Sequence, residues 1–490
     1  MTTRPQTSGL ARHLGRVGTE LETLQTGRYG DPLARRSVWG PALDVPLPRE
    51  GAGADAVVEE IATTLIPNGA RFGEAGFSGW IVSTPGTVAT VAQAAATVAS
   101  SQRYTLTAFN LVEEVSLRWL AELCGLDPGR MLGVYSSGGS VANLVALGAA
   151  RQWAFEQRGV DVAADGTGGR LTAVYASAET HHTVHRAAAV LGLGRSSVRA
   201  VPTDSAQRMD VDALAAMLAA DQAAGVIPVA VVANAGTTNT GAIDPIRAAG
   251  EAAQAAGAWF HVDGAYGLLG SLDERVAGLY DGLELADSAI VDPHKWLNAP
   301  TGTAATFVRD RAILYRAFTQ EPAAYLESVF SPADDAQSSL DSVGIPYSEF
   351  GVELSAPARG TAVWAVIREL GRSGVAARVR EDRDLASRLA EVARRHPRLE
   401  VLAEPVLSIC CVRYTAPGLA DHDRVNEAIL RRLLRDTPYL PSSTRVGGAF
   451  AIRPCYINPR TTPEHVDGLA AAIVEIGDEI IGDEITAEFA

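Results

Sequence analysis

Lysine is almost missing from this chain of 490 residues: of its 42 basic side chains, Lys295 is the single lysine and the rest are arginines. Arginine supplies every other positive charge, so the one retained amine suggests a task that guanidinium cannot perform. An ammonium with a pKa near ~10.4 loses its proton when desolvated or set beside another cation, whereas arginine, at roughly 12.5 or above, stays protonated. A free amine can attack a carbonyl and form a Schiff base. Composition alone leaves a second reading open, a leftover surface lysine in an arginine-biased chain.

Cysteine is also scarce. Cys124, Cys410, Cys411 and Cys455 show no paired metal-ligand spacing, and Cys410 and Cys411 are adjacent in an apolar, strand-like run over 406–414. A reduced, cytoplasmic protein is the expectation. Basic charge is outweighed: the formal net charge is -15, which argues against nucleic acid as a partner. Long apolar runs are missing too. Each Ala-rich stretch is broken by Gln, Arg, Asp or Gly short of the ~20 residues a membrane span needs. Residues 1–10 are polar and lack the apolar core of a secretory signal.

What remains is ordinary globular material, 47% apolar and 20% charged, long enough for two or three subdomains around a large core. Residues 1–50 are rich in Arg, Gly and Pro and read as an irregular or partly helical arm rather than a domain; the N-terminal unit is placed at 1–109. Helical spacing recurs over 55–65 and 88–99, and over 110–124 with Asn110 as the N-cap. Strand candidates then alternate with Ala-rich helices: 171–175, 199–202, 226–233, 259–263, 288–291 and 304–309. That alternation predicts an α/β fold with a mainly parallel sheet covered on both faces. In such sheets ligands bind beyond the carboxyl ends of the strands.

The large unit is placed at 110–358. It ends in a polar, poorly periodic segment, 325–353, whose length suits a functional lid or a disordered loop better than a plain connector. A small α+β unit, 359–490, follows. Its expected helices are 361–370, 376–395, 423–435 and 463–481, and its expected strands 399–402, 407–412 and 448–453.

The chemistry gathers at the predicted strand ends. Asp292-Pro293-His294-Lys295-Trp296 follows the strand at 288–291, giving the amine access, an imidazole and an aromatic wall. His261-Val262-Asp263-Gly264-Ala265 brings an acid to the same edge, with small residues that let a flat ring approach. Ser137-Gly138-Gly139-Ser140-Val141-Ala142-Asn143 opens a helix; its backbone N–H groups and dipole suit a phosphate, although Ser/Gly turns are also common caps. His181-His182-Thr183-Val184-His185 places histidines at i and i+4, but no carboxylate or cysteine completes a metal shell, so no metal is expected. An imidazole stacked on an aromatic cofactor uses these residues better. His13, His396, His422 and His465 read as solvated surface groups. Amine, acid, phosphate turn and imidazole together specify pyridoxal 5'-phosphate, with the acid holding the pyridine nitrogen protonated.

The chain resembles the group II pyridoxal-phosphate decarboxylases, the family of aromatic amino acid and glutamate decarboxylases, from about residue 72 to 477. His294-Lys295-Trp296 matches the family's HKW signature, which implies that Lys295 is the Schiff-base residue. Asp263 and Ala265 match its DxA motif, His181 its stacking histidine, Gly139 and Ser140 its phosphate turn, and Ala235-Gly236-Thr237-Thr238 its AGTT segment, with Thr237 near the cofactor. Asp292 and His294 join the cofactor-binding set. Ser443-Thr444-Arg445 and Arg453 match the C-terminal pattern. Tyr347 falls where the family carries a mobile-loop tyrosine that protonates the carbanion. The resemblance implies the fold type I transferase architecture with a seven-stranded sheet, an amino acid substrate, and a homodimer that the N-terminal arm would wrap.

The departures lie elsewhere. Glu353-Leu354-Ser355-Ala356-Pro357-Ala358-Arg359 replaces a Pro-Leu-Gly-Arg-Arg run, and Phe72 to Trp80 replaces a His-Pro-aromatic segment; both line the substrate side in the family. Simple decarboxylation of an aromatic, hydrophobic or conjugated L-amino acid is the leading expectation. Oxidative deamination to an aldehyde, or β-elimination from a cysteine S-conjugate, is the alternative.

Overall fold

The computed structural model describes residues 9–27, 30, 35–100, 108–319 and 345–488. Among the described residues, twelve strands fall into two sheets. In chain order they are β1 Phe77–Ser78, β2 Leu132–Ser136, β3 Thr172–Ser177, β4 Val198–Val201, β5 Ile227–Asn234, β6 Trp259–Asp263, β7 Ser288–Val291, β8 Ala304–Val308, β9 Leu399–Ala403, β10 Cys411–Tyr414, β11 Leu440–Val446 and β12 Ala449–Arg453.

The large sheet has seven strands in the order β2-β8-β7-β6-β5-β3-β4. Neighbours from β7 to β4 are parallel, and β8 alone runs against both of its neighbours. Every residue of β5 is buried, as expected of a strand covered on both faces. The parallel direction sends β3, β5, β6 and β7 out at one edge, and β2 emerges at the same edge. Residues 136–140, 177–183, 234–238, 263–265 and 292–295 therefore converge by topology alone.

The second sheet, β1-β11-β12-β10-β9, packs beneath the helices His422–Asp436 and Pro463–Glu488 around its own core of Leu389, Val412, Ile429, Ile452 and Ile473. β1 comes from the N-terminal segment and pairs with Leu440 and Pro441. Phe77 and Ser78 are thus knitted into the C-terminal sheet.

Several expectations change. The helix expected at 110–124 is Ala108–Leu123, and Asn110 lies inside it; its side chain donates to the Ile345 carbonyl (3.0 Å) and accepts from the Ile345 N–H (3.1 Å), pinning 345 rather than capping the helix. The two helices expected at 361–370 and 376–395 are present within Gly360–Arg395, and the backbone leaves the helical conformation between them at Gly371, where φ is 63°. A left-handed backbone there suits glycine and redirects the helix. The helix expected at 55–65 is α-helical over Ala54–Glu60 and π-helical over Ile61–Leu65. Of the segment 325–353, residues 325–344 lie outside the described residues. His13, His396, His422 and His465 are half-buried and each is held locally, His13 by Asp55 and His465 by Thr462, so they are structural groups rather than solvated ones.

Candidate functional site

At the converging edge lies a cavity of about 310 Å³, within the range of small-molecule sites. Gly139, Ser140, His181, Asp263, Ala265, Asp292, His294 and Lys295 all line it. A larger cavity of about 460 Å³, around 125–131 and 277–284, sits near the opposite end of β2 and contains none of these groups. Chemistry, not volume, marks the site.

Lys295 follows the end of β7 by four residues, and its backbone N–H donates to the Asp292 carbonyl at 2.9 Å. The turn this closes places Nζ 3.0 Å from Asp292 Oδ2. His294 lies on the same turn: its Nδ1 donates to the Thr303 carbonyl at 2.7 Å, leaving Nε2 3.8 Å from Asp292 Oδ2. Trp296 is buried, stacks on Tyr266 with centroids 5.1 Å apart, and donates its indole N–H to Asp382 Oδ2 at 2.7 Å. Tyr266 in turn bonds the Ser408 hydroxyl at 2.5 Å. The lysine loop is thereby held from below by the C-terminal unit. Asp382 is fully buried, and that burial pushes its carboxyl up to about 8.

Asp263 ends β6 and points its carboxylate into the cavity. Oδ1 accepts from the Ala265 N–H (3.1 Å) and Oδ2 from the Asn143 amide (3.0 Å). His181, after β3, is partly buried; desolvation holds its imidazole below the ordinary value, with Asp263 pulling the other way. Its ring lies 4.2 Å from that of His182, which is exposed. Ala265 adds a small floor.

The helix Gly139–Glu156 points its N-terminus at the same space. Gly138 has φ 138°, a conformation that favours glycine, and a Cβ on Gly139 would stand 2.7 Å from Asp292 Oδ2. The first N–H groups of a helix have no acceptor within it, and an anion satisfies them. Asp292 Oδ1 is buried without a hydrogen-bond partner. Together with the Ser140 hydroxyl, an acid for a pyridine nitrogen and one amine for an aldehyde, these features fit pyridoxal phosphate. Among the described residues, no group of His, Cys, Asp and Glu side chains is arranged to hold a metal ion.

Two expected residues do not line the cavity. Thr237 is buried against Thr240 (3.1 Å) and the Ala242 N–H (3.1 Å), while its neighbours Gly236 and Thr238 form the wall. Tyr347 is fully buried; its hydroxyl donates to Glu114 Oε2 at 2.5 Å, and the Arg311 guanidinium lies over its ring, 5.4 Å from the centroid. Burial and the Glu114 carboxylate hold its phenol protonated, well above the usual range. The structure does not bring this tyrosine to Lys295.

Other residues went unassigned in the sequence reading. Asn143, His261, Ser288 and Thr183 surround Asp263 and His181 with buried hydrogen bonds. The signal was present: His261 sits two residues before Asp263, on the same face of β6, and Asn143 lies one turn beyond Ser140. Arg453 is buried too, and it donates to the carbonyls of Trp80 (2.8 Å), Asn239 (3.1 Å) and Thr238. Thr444 holds the Asn239 side chain (2.8 Å), whereas Arg445 pairs with Asp423 near the surface.

The divergent segments have clear structural roles. Glu353 forms a bidentate pair with Arg359, both contacts at 3.0 Å, and Arg359 Nε donates to the Gly302 carbonyl at the cavity rim. The acid that looked anomalous matches the one arginine left in its run. Phe72, Phe77 and Trp80 form an aromatic cluster with centroids 5.0 to 6.4 Å apart, beside Leu430, Leu434 and Leu440 in an open groove of about 640 Å³.

Comparison with known proteins agrees with this geometry. The pyridoxal-dependent decarboxylase conserved domain matches residues 41–415. An aromatic-L-amino-acid decarboxylase of Bacillus atrophaeus is 31% identical over 373 residues, 75% of this chain and 73% of that protein. An L-2,4-diaminobutyrate decarboxylase of Rhizobium meliloti is 30% identical over 442 residues, 89% of this chain and 84% of the other. The crystal structure of Oryza sativa TDC with PLP and tryptamine superposes with a TM-score of 0.86 at 25% identity, covering 98% of this chain and all of that one.

Proposed function

Since the chain belongs to the pyridoxal-dependent decarboxylase family, and is a pyridoxal-phosphate-dependent carboxy-lyase acting on an amino acid, we propose that it decarboxylates an aromatic L-amino acid through Lys295. The observation that carries this reading is the juxtaposition of the only lysine with Asp292, Asp263 and His181 in one cavity. When bound, the cofactor supplies an electron sink for the pair left behind when a substrate bond at Cα breaks.

The protein's own residues do the rest. Asp292 Oδ2, 3.0 Å from Nζ, is within reach to take up the ammonium proton and free the amine as a nucleophile. Asp263 offers a carboxylate held by two N–H donors, a fixed negative charge for a protonated ring nitrogen. His181 and Ala265 bound the space from its sides, and the helix start at Gly139 and Ser140 receives a phosphate. Arg453 ties the wall at Thr238 to the backbone of Trp80. An aromatic substrate side chain is supported by the aromatic-L-amino-acid and tryptophan decarboxylases among the relatives.

A homodimer belongs to the same proposal. The N-terminal segment exposes Val38, Leu47, Val91 and Val98 at 64% or more, and Leu111 at 64%. Exposed apolar side chains on a segment that would wrap a second copy support an interface, and light scattering of the purified protein should read twice the chain mass. No helix among the described residues is long and apolar enough to cross a membrane.

A panel of carboxyl-labelled L-amino acids tests the activity, with carbon dioxide, amine, aldehyde, ammonia and keto acid all quantified. Equal amounts of carbon dioxide and amine from an aromatic member are expected. Aldehyde with ammonia would transfer the protein to the oxidative class, and pyruvate from a cysteine conjugate to the β-eliminating one.

A further inference from the structure

Asn143 is a buried primary amide, 1% exposed, and all of its hydrogen-bonding groups on the side chain are engaged. We propose that Asn143 is a positioning residue that sets both the direction of the Asp263 carboxylate and the tautomer of His181. The inference rests on the cofactor reading above and concerns how that site is kept in one protonation pattern.

One atom of the network, the Trp259 indole nitrogen, can only donate. Trp259 Nε1 donates to Ser288 Oγ at 2.7 Å, so the serine hydroxyl proton is free to point to His261 Nδ1, 2.9 Å away. His261 then carries its proton on Nε2, which lies 3.1 Å from Asn143 Oδ1. That contact fixes the amide: Nδ2 must face Asp263 Oδ2 at 3.0 Å and Thr183 Oγ1 at 3.2 Å. A flipped amide would set donor against donor at His261 and oxygen against carboxylate at Asp263. Burial pushes the His261 imidazole down to about 4, so it stays neutral and the polarity of the chain holds at physiological pH.

The second branch reaches the other side of the cavity. Thr183 Oγ1 accepts from Asn143, which leaves its own proton for His181 Nδ1 at 2.8 Å. The Thr183 backbone N–H points to the same nitrogen at 3.4 Å. Neutral His181 therefore bears its proton on Nε2. One amide thus orients the acid and, through a single hydroxyl, the imidazole. Lys295, Asp292 and His182 also face His181 electrostatically, and a pH titration reads all of them together.

Four variants test the proposal, each checked for folding by circular dichroism: Asn143→Leu, Thr183→Val, His261→Leu and His261→Gln. The readouts are cofactor affinity, from tryptophan quenching by added pyridoxal phosphate, and the pH titration of the bound cofactor's visible band. Loss of a hydrogen bond to a charged group predicts affinity about tenfold to hundredfold weaker in Asn143→Leu and His261→Leu, with the titration midpoint displaced. His261→Gln keeps a donor toward Asn143 and an acceptor toward Ser288, so it should stay within about threefold of the parent. Thr183→Val removes one hydroxyl and should displace the midpoint with less loss of affinity; it carries the test if Asn143→Leu does not fold. Unmoved affinity and midpoint in folded Asn143→Leu or Thr183→Val, or equal damage from His261→Gln and His261→Leu, overturns the proposal. A parent protein that shows no cofactor band overturns the cofactor reading instead.

Discussion

Replacing Asp382 by asparagine should stabilise the protein progressively as pH rises from about 5 to about 8. Asp382 sits in the element Gly360–Arg395, 4% exposed, and accepts the Trp296 indole N–H directly beneath the lysine loop. Burial raises its carboxyl from 3.8 to about 8, with Trp296 and Arg378 opposing; Glu381 adds to the rise, and buried Cys455 also faces it. The sign follows from proton counting. Between those two values the folded chain holds a proton that the unfolded chain has released, so stability falls with rising pH at roughly 1.4 kcal/mol per unit, and levels off above the folded value. Across the whole window from 3.8 to about 8 the cost reaches at most about 6 kcal/mol. Asparagine keeps an acceptor for the indole and does not titrate, so the variant lacks that slope while sharing every other titrating group. Urea midpoints of parent and variant, compared across the window at one protein concentration with saturating cofactor, measure the difference. A difference that stays constant with pH, or that favours the parent more as pH rises, would refute the reasoning.

Three further outcomes are expected. Tyr347→Phe deletes the bond to Glu114 but leaves Arg311 on that carboxylate, so stability should drop by about 1 to 3 kcal/mol in a thermal melt. The product distribution, read by mass spectrometry, should stay the same; a shift toward aldehyde would show that the tyrosine leaves its buried place during turnover. Gly139→Ala drives a methyl into the Asp292 carboxylate and should weaken pyridoxal phosphate binding by about tenfold or more, seen in a cofactor titration with secondary structure unchanged. Arg453→Lys cannot hold three carbonyls at once, so the wall at Thr238 should loosen; KM for the amino acid should rise severalfold more than kcat falls.

The cofactor end of the site was legible in the sequence because strand ends concentrate chemistry. The order of strands placed 263 and 292–295 at one edge, and alternation along β6 placed His261 beside Asp263. The sequence pattern places Asn143 and His261 near the same edge, but the pairing within their network was not legible, since nothing in a sequence tells which buried amide meets which imidazole across 118 residues. Tyr347 shows the converse. Matching the loop placed it at the lysine, whereas an aromatic ring beside Arg311 and Phe350 gains more by burial, and Glu114 satisfies its hydroxyl. Strand β11 escaped because its sequence, Leu-Pro-Ser-Ser-Thr-Arg-Val, is polar and half-solvated, with only its first two residues buried. The pairing of β1 with β11 joins segments far apart in the chain, which periodicity does not report.

Because Lys295 is the only lysine, one measurement isolates it. The protein is incubated with pyridoxal phosphate, reduced with borohydride, cleaved at arginine and mapped by peptide mass spectrometry. One reduced pyridoxyl phosphate group is expected, carried on Nζ of Lys295 and lost in Lys295→Ala. Tight cofactor binding with no such adduct, or an adduct confined to the amino terminus, would contradict it.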